Sequence, residues 1–474
     1  MSDTVPPSRL SSGQRAGAVL AVFGVLLFVT SLLLGAALAP DVGSAEDGEA
    51  RQTLVGSQGG GPGLHDHGSV YLLDGRETAW RTGDTDSYFD VTMLDNGSVM
   101  AGFMDDGYED CGPYESPCTH TGFRIVDPNA DSAAAPEIEY EYSFPVRSRA
   151  NSEVHDVELL DSGEFLVSDM ENERIFTVKN GEITWQWNAS SRYEAPDDPT
   201  RTDWLHINDV DVIGEDRYLV SVRNAHQLVI VERGEGVVEV INGDEAVTEG
   251  DPTLLRQQHN PQWLGNGTVL VADSHNDRIV ELRRGESGEW TVGWTLDRAE
   301  GVEFRWPRDA DRLPNGNTLV TDTLNHRVME ITPTGEVVWE YYATWGPYDA
   351  ERMGTGPESS GPTIRDMNAS GTYPITGSAN LTAGGNDSVG FDGRIRATFA
   401  GTALEGPMNE FATRWAHVTP WLRPVWMSGW DFVWTISAVL VGVVWVSGEL
   451  IAGRRTIAAG VRRLLADVRR RLDR

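Results

Sequence analysis

Five segments of the chain share one pattern of hydrophobic, glycine and polar positions. In four of the five, a glycine falls eight residues after the start, and each segment reads as a strand, a tight turn, a second strand, a polar turn and a third strand. A fourth strand follows in GEITWQWN, GVVEVING, EWTVGWTL and GEVVWEYY. The segments begin at Phe89, His155, Asn208, His259 and Arg308.

Units of four short strands, repeated roughly every 50 residues, bury their faces by stacking on their neighbours. The fold class is therefore predicted to be all-β, a β-propeller spanning residues 68–410. Strands in Gly68–Asp84 lack an inner pair, and the chain after Trp345 is expected to complete their blade and close the ring. Six blades are expected, although five or seven also fit. The pattern predicts a linker at 40–67 and a connector at 411–430.

The formal net charge is −34, and all but one of the 38 basic residues are arginine. A surface of carboxylates almost without lysine suits a protein kept hydrated at molar salt, where charge repulsion is screened. The composition therefore indicates a halophilic, archaeal origin. It also argues against nucleic acid as a partner.

Two apolar stretches predict transmembrane helices, at 18–39 and at 431–452. The first also ends in a cleavage-like AALA sequence, so a removed signal peptide is an alternative. Arginines lie in the short N-terminus, 1–17, and in the tail, 453–474. Positive charge beyond both spans predicts that both termini are cytoplasmic, that the protein is a multi-pass protein of the cell membrane, and that the propeller is extracellular.

The two cysteines, Cys111 and Cys118, lie in one short loop. In an exported domain, cysteines this close are expected to form a local disulfide. A metal pair is the weaker interpretation, since a structural zinc site needs four ligands and no second pair lies nearby. We expect no bound metal.

The leading residue of each repeat differs from the scaffold that follows it. First strands of propeller blades line the central channel, so the leading residues are expected to face one another there. The column is polar in four of five blades and includes His155, Asn208, His259 and Arg308. His206 lies two residues before Asn208, on the same side of the strand. The pattern favours functional roles for His155, His206 and His259, and a substrate-binding role for Arg308.

A second column lies in the turn between the second and third strands, and it contains Arg223 in the third segment and Thr323 in the fifth. Nearby histidines in these turns are interpreted as structural or exposed. They are His226, His275 and His326.

The run from His155 to Glu340 resembles the arylsulfate sulfotransferase family, in its haloarchaeal membrane-anchored form. The resemblance implies a six-bladed propeller that moves a sulfuryl group from a phenolic sulfate ester to a phenol. A channel histidine carries the group between the two half-reactions, and neither a nucleotide nor another cofactor is used. The partners it implies are the two small phenolic molecules and the membrane.

The family's H-x-N motif, followed by an arginine one strand later, matches His206, Asn208 and Arg223. Its nucleophilic histidine matches His259. An earlier channel histidine matches His155, and Thr323 matches a threonine one blade beyond the nucleophile, which implies substrate binding. The family's N-terminal β-domain has no counterpart here, which leaves the oligomeric state and the natural substrate open.

The residues also suit this chemistry by themselves. Sulfuryl transfer needs a nucleophile and positively charged or hydrogen-bonding groups around three oxygens. Imidazole is nucleophilic when neutral, and Arg223 donates from a planar, permanently charged fork. A non-catalytic, membrane-tethered binding or sensory propeller is the main alternative. A quinone-dependent dehydrogenase would need calcium-binding carboxylates in the channel, and the leading column offers none.

Overall fold

The structure is a computed structural model, and its described residues form an all-β ring with helices added at either end of the chain. They are 12–38, 45–46, 52–59, 67–75, 77–129, 136–149, 152–244, 246–297, 303–343, 345–356, 358–377, 390–424, 426–444 and 446–447.

Six antiparallel sheets of four main strands make up the ring, so the predicted six-bladed propeller is confirmed. The inner strand of each blade comes first in the following list. Blade 1 is Pro347–Arg352, Gln52–Ser57, Gly68–Asp74 and Glu77–Thr85. Blade 2 is Ser87–Met93, Val99–Tyr108, Cys118–Asp127 and Glu137–Val146. Blade 3 is Val157–Leu159, Phe165–Asp169, Arg174–Lys179 and Glu182–Asn188. Blade 4 is Ile207–Gly214, Arg217–Val222, Gln227–Glu232 and Gly236–Ile241. Blade 5 is His259–Gly265, Thr268–Asp273, Arg278–Arg284 and Trp290–Asp297. Blade 6 is Pro307–Arg312, Thr318–Asp322, Arg327–Ile331 and Glu336–Tyr342.

Blade 1 joins the two ends of the ring. Its inner strand, Pro347–Arg352, follows Trp345, where the closing strand was expected, and pairs antiparallel with Gln52–Ser57. The latter strand lies inside the segment 40–67 that was predicted to be a linker, so the propeller begins earlier than expected. Its sequence, QTLVGS, lacks the polar alternation of a half-exposed strand, because five of its six residues are buried between neighbours.

A separate hydrophobic cluster fills each of the six interfaces between neighbouring blades. Between blades 1 and 2, for example, Leu54 and Val70 pack against Val91 and Phe103. Burying one such side chain contributes about 1.5–3 kcal/mol, so every blade depends on both of its neighbours. The cluster between blades 6 and 1 includes Val55, which completes the ring.

Short strands and helices extend this core. Ala45–Glu46 and Thr376–Gly377 pair with the outer strand of blade 6, and Gly371–Pro374 pairs with the outer strand of blade 5. Short 3-10 turns are Ala189–Ser191, Pro199–Arg201, Arg223–Ala225, Ser274–Asn276 and Thr323–Asn325. Residues 12–38 and 429–444 are α-helical and belong to a second compact unit. The α-helices that follow the propeller strands are Phe391–Phe399 and Glu405–Leu422. The last one occupies much of the predicted connector.

The chain divides into two compact units, 39–425 and a second unit of 1–38 with 426–474. Within the described part of the chain, no helix meets the length and hydropathy needed to cross a membrane. The predicted arginine-rich tail, 453–474, and most of the predicted N-terminal segment, 1–17, lie outside the described residues, as does part of 431–452.

Candidate functional site

The leading residues of the inner strands meet at one end of the channel, as the repeat predicted. The rings of Phe89 and His155 are 4.9 Å apart, and those of His155 and Tyr348 are 5.3 Å apart. His259 lies 6.2 Å from Tyr348. Arg308 stands over Tyr348 at 5.0 Å. Tyr348 is the leading residue of blade 1, and the sequence pattern missed it because that blade's inner strand lies outside the five repeats.

His259 presents one ring nitrogen for chemistry. Its Nδ1 is 2.9 Å from the hydroxyl of Ser274, which itself donates to the Ala272 carbonyl at 3.2 Å. We assign the Ser274 proton to that carbonyl, so that the hydroxyl oxygen accepts from Nδ1–H. The neutral tautomer therefore keeps its lone pair on Nε2, which makes no hydrogen bond among the described residues. Burial, reinforced by Arg308 and Arg223, holds the pKa of His259 well below its usual range.

His206 is oriented by an acidic residue and an arginine. Its Nδ1 lies 2.6 Å from Asp203 Oδ1 and 3.1 Å from a guanidinium nitrogen of Arg223. We assign the shorter contact as the hydrogen bond donated by the imidazole, because an Arg223 N–H cannot donate to a protonated Nδ1. Burial and Arg223 lower the pKa of His206 to about 4. It is therefore neutral at pH 7.

Asp203 remains a carboxylate. Burial acts to raise its pKa, but the hydrogen bond from His206 and the charge of Arg223 outweigh this and lower it to about 2. Asp203 Oδ2 also lies 3.6 Å from Arg223. Arg223 thus keeps a nearby counter-ion while its Nε, buried without a partner among the described residues, remains available to an anion.

The sequence at the turn explains why Arg223 reaches the channel. Blades 3, 5 and 6 share an Asp-x-x-Asn-x-Arg turn, in which the arginine and the asparagine both bond the aspartate. Blade 4 has Val222 and Gln227 where the others have the aspartate and the arginine. Blade 4 therefore lacks this turn network, and the acidic partner of Arg223 is Asp203, which precedes the blade. Arg223 takes the position that Ser274 has in blade 5.

Arg308 and Trp306 form a second cationic wall. The guanidinium of Arg308 lies 5.1 Å from the ring of Trp306, and that of Arg223 lies 5.8 Å from it. Arg308 also donates to the side chain of Gln58. Burial lowers the pKa of Arg308 to about 10, so it stays charged at pH 7. Two arginines packed against one indole, whose ring lies 6.3 Å from that of His259, make an electropositive pocket there.

His155 and Glu153 supply candidate proton acceptors. His155 Nε2 is 3.9 Å from a carboxylate oxygen of Glu153, and its Nδ1 is buried without a partner among the described residues. Burial, His206 and Arg308 hold the pKa of His155 well below its usual range. Burial also raises the pKa of Glu153 to about 6. Glu153 lies two positions before the leading residue of its blade, as His206 and Trp306 do in their blades. It was not predicted from the sequence.

Asn208 lies on the inner strand of blade 4, and Thr323 lies in the turn after the second strand of blade 6. Asn208 is fully buried, and its amide nitrogen donates to the Gln258 carbonyl at 2.9 Å while its Oδ1 has no partner in the described part of the chain. Thr323 follows the strand residue that pairs with Pro307, so it lies at the same end of blade 6 as Arg308. Its hydroxyl is likewise buried and unpaired among the described residues. These positions match their predicted columns.

The turn histidines have structural surroundings. His326 stacks on Trp345 with ring centroids 4.7 Å apart, and His226 accepts a hydrogen bond from the Gln257 amide at 3.3 Å. His275 lies 5.0 Å from His417, a residue to which the sequence assigned no role.

Cys111 and Cys118 form a disulfide with Cα atoms 5.7 Å apart. Their loop follows the second strand of blade 2.

A second column of polar residues lines the channel immediately behind the leading residues, and the sequence analysis did not identify it. We call it the first carboxylate ring, and its members are Asp90, Asp156, Asp209, Asn260, Asp309 and Asp349. Strand alternation alone would turn neighbouring residues to opposite faces. However, the inner strands of blades 2, 4, 5 and 6 have register shifts at these residues. Such β-bulges can bring two consecutive side chains to the same side.

The expectation that no metal is bound considered only the cysteine pair and the leading column, whereas this ring places carboxylates in the channel. Within the described residues, no group of three His, Cys, Asp or Glu side chains stands in the geometry of a metal centre.

Comparisons with known proteins give similarities of fold. No family model matches the chain, and no curated protein matches it. Among solved structures, a protein of unknown function from Bacteroides caccae is 14% identical, with a TM-score of 0.45, and the match covers 64% of this chain and 98% of that one.

Two enzymes are also similar in structure. The periplasmic gluconolactonase of Pseudomonas aeruginosa is 12% identical, with a TM-score of 0.39, over 64% of this chain and 99% of that one. The virginiamycin B lyase of Staphylococcus aureus is 12% identical, with a TM-score of 0.31, over 53% of this chain and 69% of that one. Similarities at this level carry no argument about activity.

Proposed function

We propose that the protein is an aryl-sulfate sulfotransferase that transfers a sulfuryl group from a phenolic sulfate ester to a phenol through a sulfohistidine at His259. The observation that carries this proposal is the hydrogen bond between His259 Nδ1 and Ser274, which leaves the lone pair of Nε2 unoccupied in a site where the charges of Arg308 and Arg223 act on the imidazole. A neutral imidazole beside fixed positive charges is suited to attack an anionic sulfate ester.

In the first half-reaction, His259 Nε2 attacks the sulfur and forms an N–S bond while the S–O bond to the aryl group breaks. The electron pair of that bond leaves with the phenolate. Arg223 and Arg308 neutralise charge on the sulfuryl oxygens, and their guanidinium groups are held over Trp306 before substrate arrives. Their positions therefore require little reorganisation during the transfer.

In the second half-reaction, the acceptor phenol gives its proton to a base and its oxygen attacks sulfur. The N–S bond breaks, and its electron pair returns to Nε2. His155 is suited to take this proton because burial keeps it neutral, and Glu153 lies 3.9 Å away to stabilise the imidazolium that forms. Donor and acceptor use the same pocket in turn, so the kinetics are ping-pong.

The test is the intact mass of the full-length protein after mixing with p-nitrophenyl sulfate alone in molar KCl. We expect a mass increase of one SO3 group and a burst of nitrophenol equal to the amount of protein. His259→Ala should lose both, while His67→Ala, at an exposed histidine of blade 1, should retain both. Arg223→Ala should slow turnover by about 100-fold, as expected when one preorganised donor is removed.

Two results would contradict the proposal. An adduct that persists in His259→Ala would show that another histidine is the nucleophile. A native protein that binds the ester without forming an adduct or releasing nitrophenol would instead be a binding module.

We also propose that the propeller lies outside the cell and is attached to the membrane through 18–39 and 431–452. Support comes from the apolar sequence of both stretches, from the arginines beyond them and from the disulfide in blade 2. Protease added to intact cells should digest the propeller and spare a tag placed after Arg474. Loss of the tag would contradict this topology.

A further inference from the structure

A second polar ring lies two residues further along each inner strand, behind the first carboxylate ring. It comprises Thr92, Glu158, Asp211, Gln262, Asp311 and Glu351. Residues of both rings, together with Glu358 from the loop after blade 1, enclose one cavity on the channel axis. Its volume is about 20 Å³, which is room for a single ion or water molecule. The proposed sulfotransferase chemistry uses none of these residues.

Backbone amides fix several of the carboxylates in place. Asp349 accepts from the Val91 amide at 2.9 Å, and Asp156 accepts from the Val210 amide at 2.5 Å. The bonds run between neighbouring blades, so the rings tie the inner strands together. They do not neutralise the charge, however, because an amide donor carries only a partial positive charge.

The cavity concentrates acidic groups where water is scarce. Asp209 and Asp211 are buried, and both line the cavity together with Asp156 and Glu358. A buried group of carboxylates must be neutralised either by protons or by a cation.

A neutral side chain gives independent evidence for a ligand. The amide oxygen of Asn260 is buried, lines the cavity and has no hydrogen-bond partner among the described residues, although the residue as a whole is only 6% exposed. Asp209, in the neighbouring blade, leaves its Oδ2 unpaired in the same way. Protons on the nearby carboxylates leave this acceptor without a partner. A buried acceptor without a partner costs about 1–3 kcal/mol, unless a ligand in the cavity binds to it.

We propose that the channel binds one Ca²⁺ ion, held by oxygen atoms of both rings. All the lining donors are carboxylate, amide or hydroxyl oxygens, the set that Ca²⁺ prefers, and Ca²⁺ accepts six to eight of them in irregular geometry. Among the described residues, no three acidic side chains already stand in the geometry of metal ligands. Carboxylates of different blades therefore turn toward the ion as it binds, and the ion replaces their protons. The ion thereby links blades across the ring and stabilises its closure.

The experiment uses full-length protein in molar KCl at neutral pH, stripped with a chelator and then desalted. Elemental analysis after addition of Ca²⁺ and a second desalting should find one Ca²⁺ per chain, and the thermal unfolding midpoint should rise by several degrees. Asp209→Asn keeps the side-chain shape but removes a charged ligand. It should weaken Ca²⁺ binding at least about tenfold, whereas Asp161→Asn, in an exposed hairpin turn, should bind as the native protein does.

Asn260→Asp gives an independent test if Asp209→Asn does not fold. Asn260 has a φ of 36°, a conformation that Asp also tolerates, so the substitution should add a sixth carboxylate to the first ring without strain. We expect a lower midpoint without metal and a larger gain when Ca²⁺ is added. Absence of retained Ca²⁺ with an unchanged midpoint would show that protons alone neutralise the rings. Equal Ca²⁺ binding in Asp209→Asn would place the ion elsewhere, and either result overturns the proposal.

Discussion

Ser274 sets the tautomer of His259 through a single hydroxyl group. With its proton assigned to the carbonyl of Ala272, the hydroxyl oxygen accepts from the imidazole. The nitrogen that we propose as the nucleophile is thus defined by a hydroxyl bonded to the other nitrogen of the ring. Thr323, at the equivalent position of blade 6, shows that this turn also accommodates a threonine.

We predict that Ser274→Ala slows adduct formation about fivefold, since loss of one neutral hydrogen bond costs about 1 kcal/mol and frees the ring to adopt the other tautomer. Ser274→Thr retains the hydroxyl and should restore the rate. Stopped-flow release of nitrophenol gives the measurement, and ring-nitrogen NMR shifts report the tautomer directly. Equal rates for the alanine and threonine variants would rule out this positioning role.

The pH dependence should reflect the lowered histidine pKa values. Because burial holds His206 near a pKa of about 4, it remains neutral well below pH 6.5, and the pKa of His259 is lowered as well. Lowering the pH protonates these groups only below their folded pKa values, so the rate of the first half-reaction should be preserved at pH 5.5. A single-turnover pH profile with an acid limb centred near 6.5 would contradict this.

The helix Glu405–Leu422 packs on the face of the propeller where the site opens. His417 Nε2 lies 3.0 Å from Asp277 Oδ1, and Trp421 lies 5.9 Å from Trp345. The ring of His417 also lies 5.4 Å from that of Trp306, against which Arg223 and Arg308 pack. The predicted connector is therefore part of the wall of the site.

We predict that His417→Ala raises the KM for the sulfate ester about fivefold while changing kcat little, because Trp306 loses a neighbour but the nucleophile keeps its own hydrogen bond. Steady-state kinetics measure both constants. Arg414→Ala is the matched control, since this residue is exposed on the same helix and pairs only with Glu410 among the described residues. A fall in kcat alone would place the helix in a different role.

The six blades form a closed ring through one pairing, in which the early strand Gln52–Ser57 inserts between Pro347–Arg352 and Gly68–Asp74. The inner strand of blade 1 is connected to the other three strands of that blade through the chain of the other five blades. The stability of the whole propeller should therefore be sensitive to this short segment.

We predict that Leu54→Ala lowers the free energy of unfolding by about 2–5 kcal/mol, because the side chain is completely buried between blades 1 and 2. Gln52→Ala, at the exposed end of the same strand, should change it little. Denaturant titration followed by circular dichroism provides the comparison. A chain that begins at His67 should fail to give a cooperative transition, and normal unfolding of that chain would contradict the closure.

Much of this ring could be predicted from sequence because the repeat is explicit in five blades. Gln52–Ser57 could not, since one buried strand among glycine-rich residues has no periodicity of its own. The leading histidines were found because their column varies while the scaffold does not. Tyr348 and Glu153 were not predicted because no aligned repeat covers their positions. The carboxylate rings were not predicted because β-bulges alter the alternation of side chains along the strand, on which such a prediction depends.

The order of synthesis gives the closing strand a further consequence. Gln52–Ser57 leaves the ribosome about 300 residues before Pro347–Arg352 exists, so at about 5–20 residues per second it waits roughly 15–60 s for its partner. During that time the edge of this hydrophobic strand that pairs with Pro347–Arg352 is open to pairing with other chains, although its other edge can already pair with Gly68–Asp74. A ribosome that stalls late in translation would release a nearly complete protein with that edge exposed. Protection of the nascent chain by a chaperone should therefore matter most for the strand that is made first.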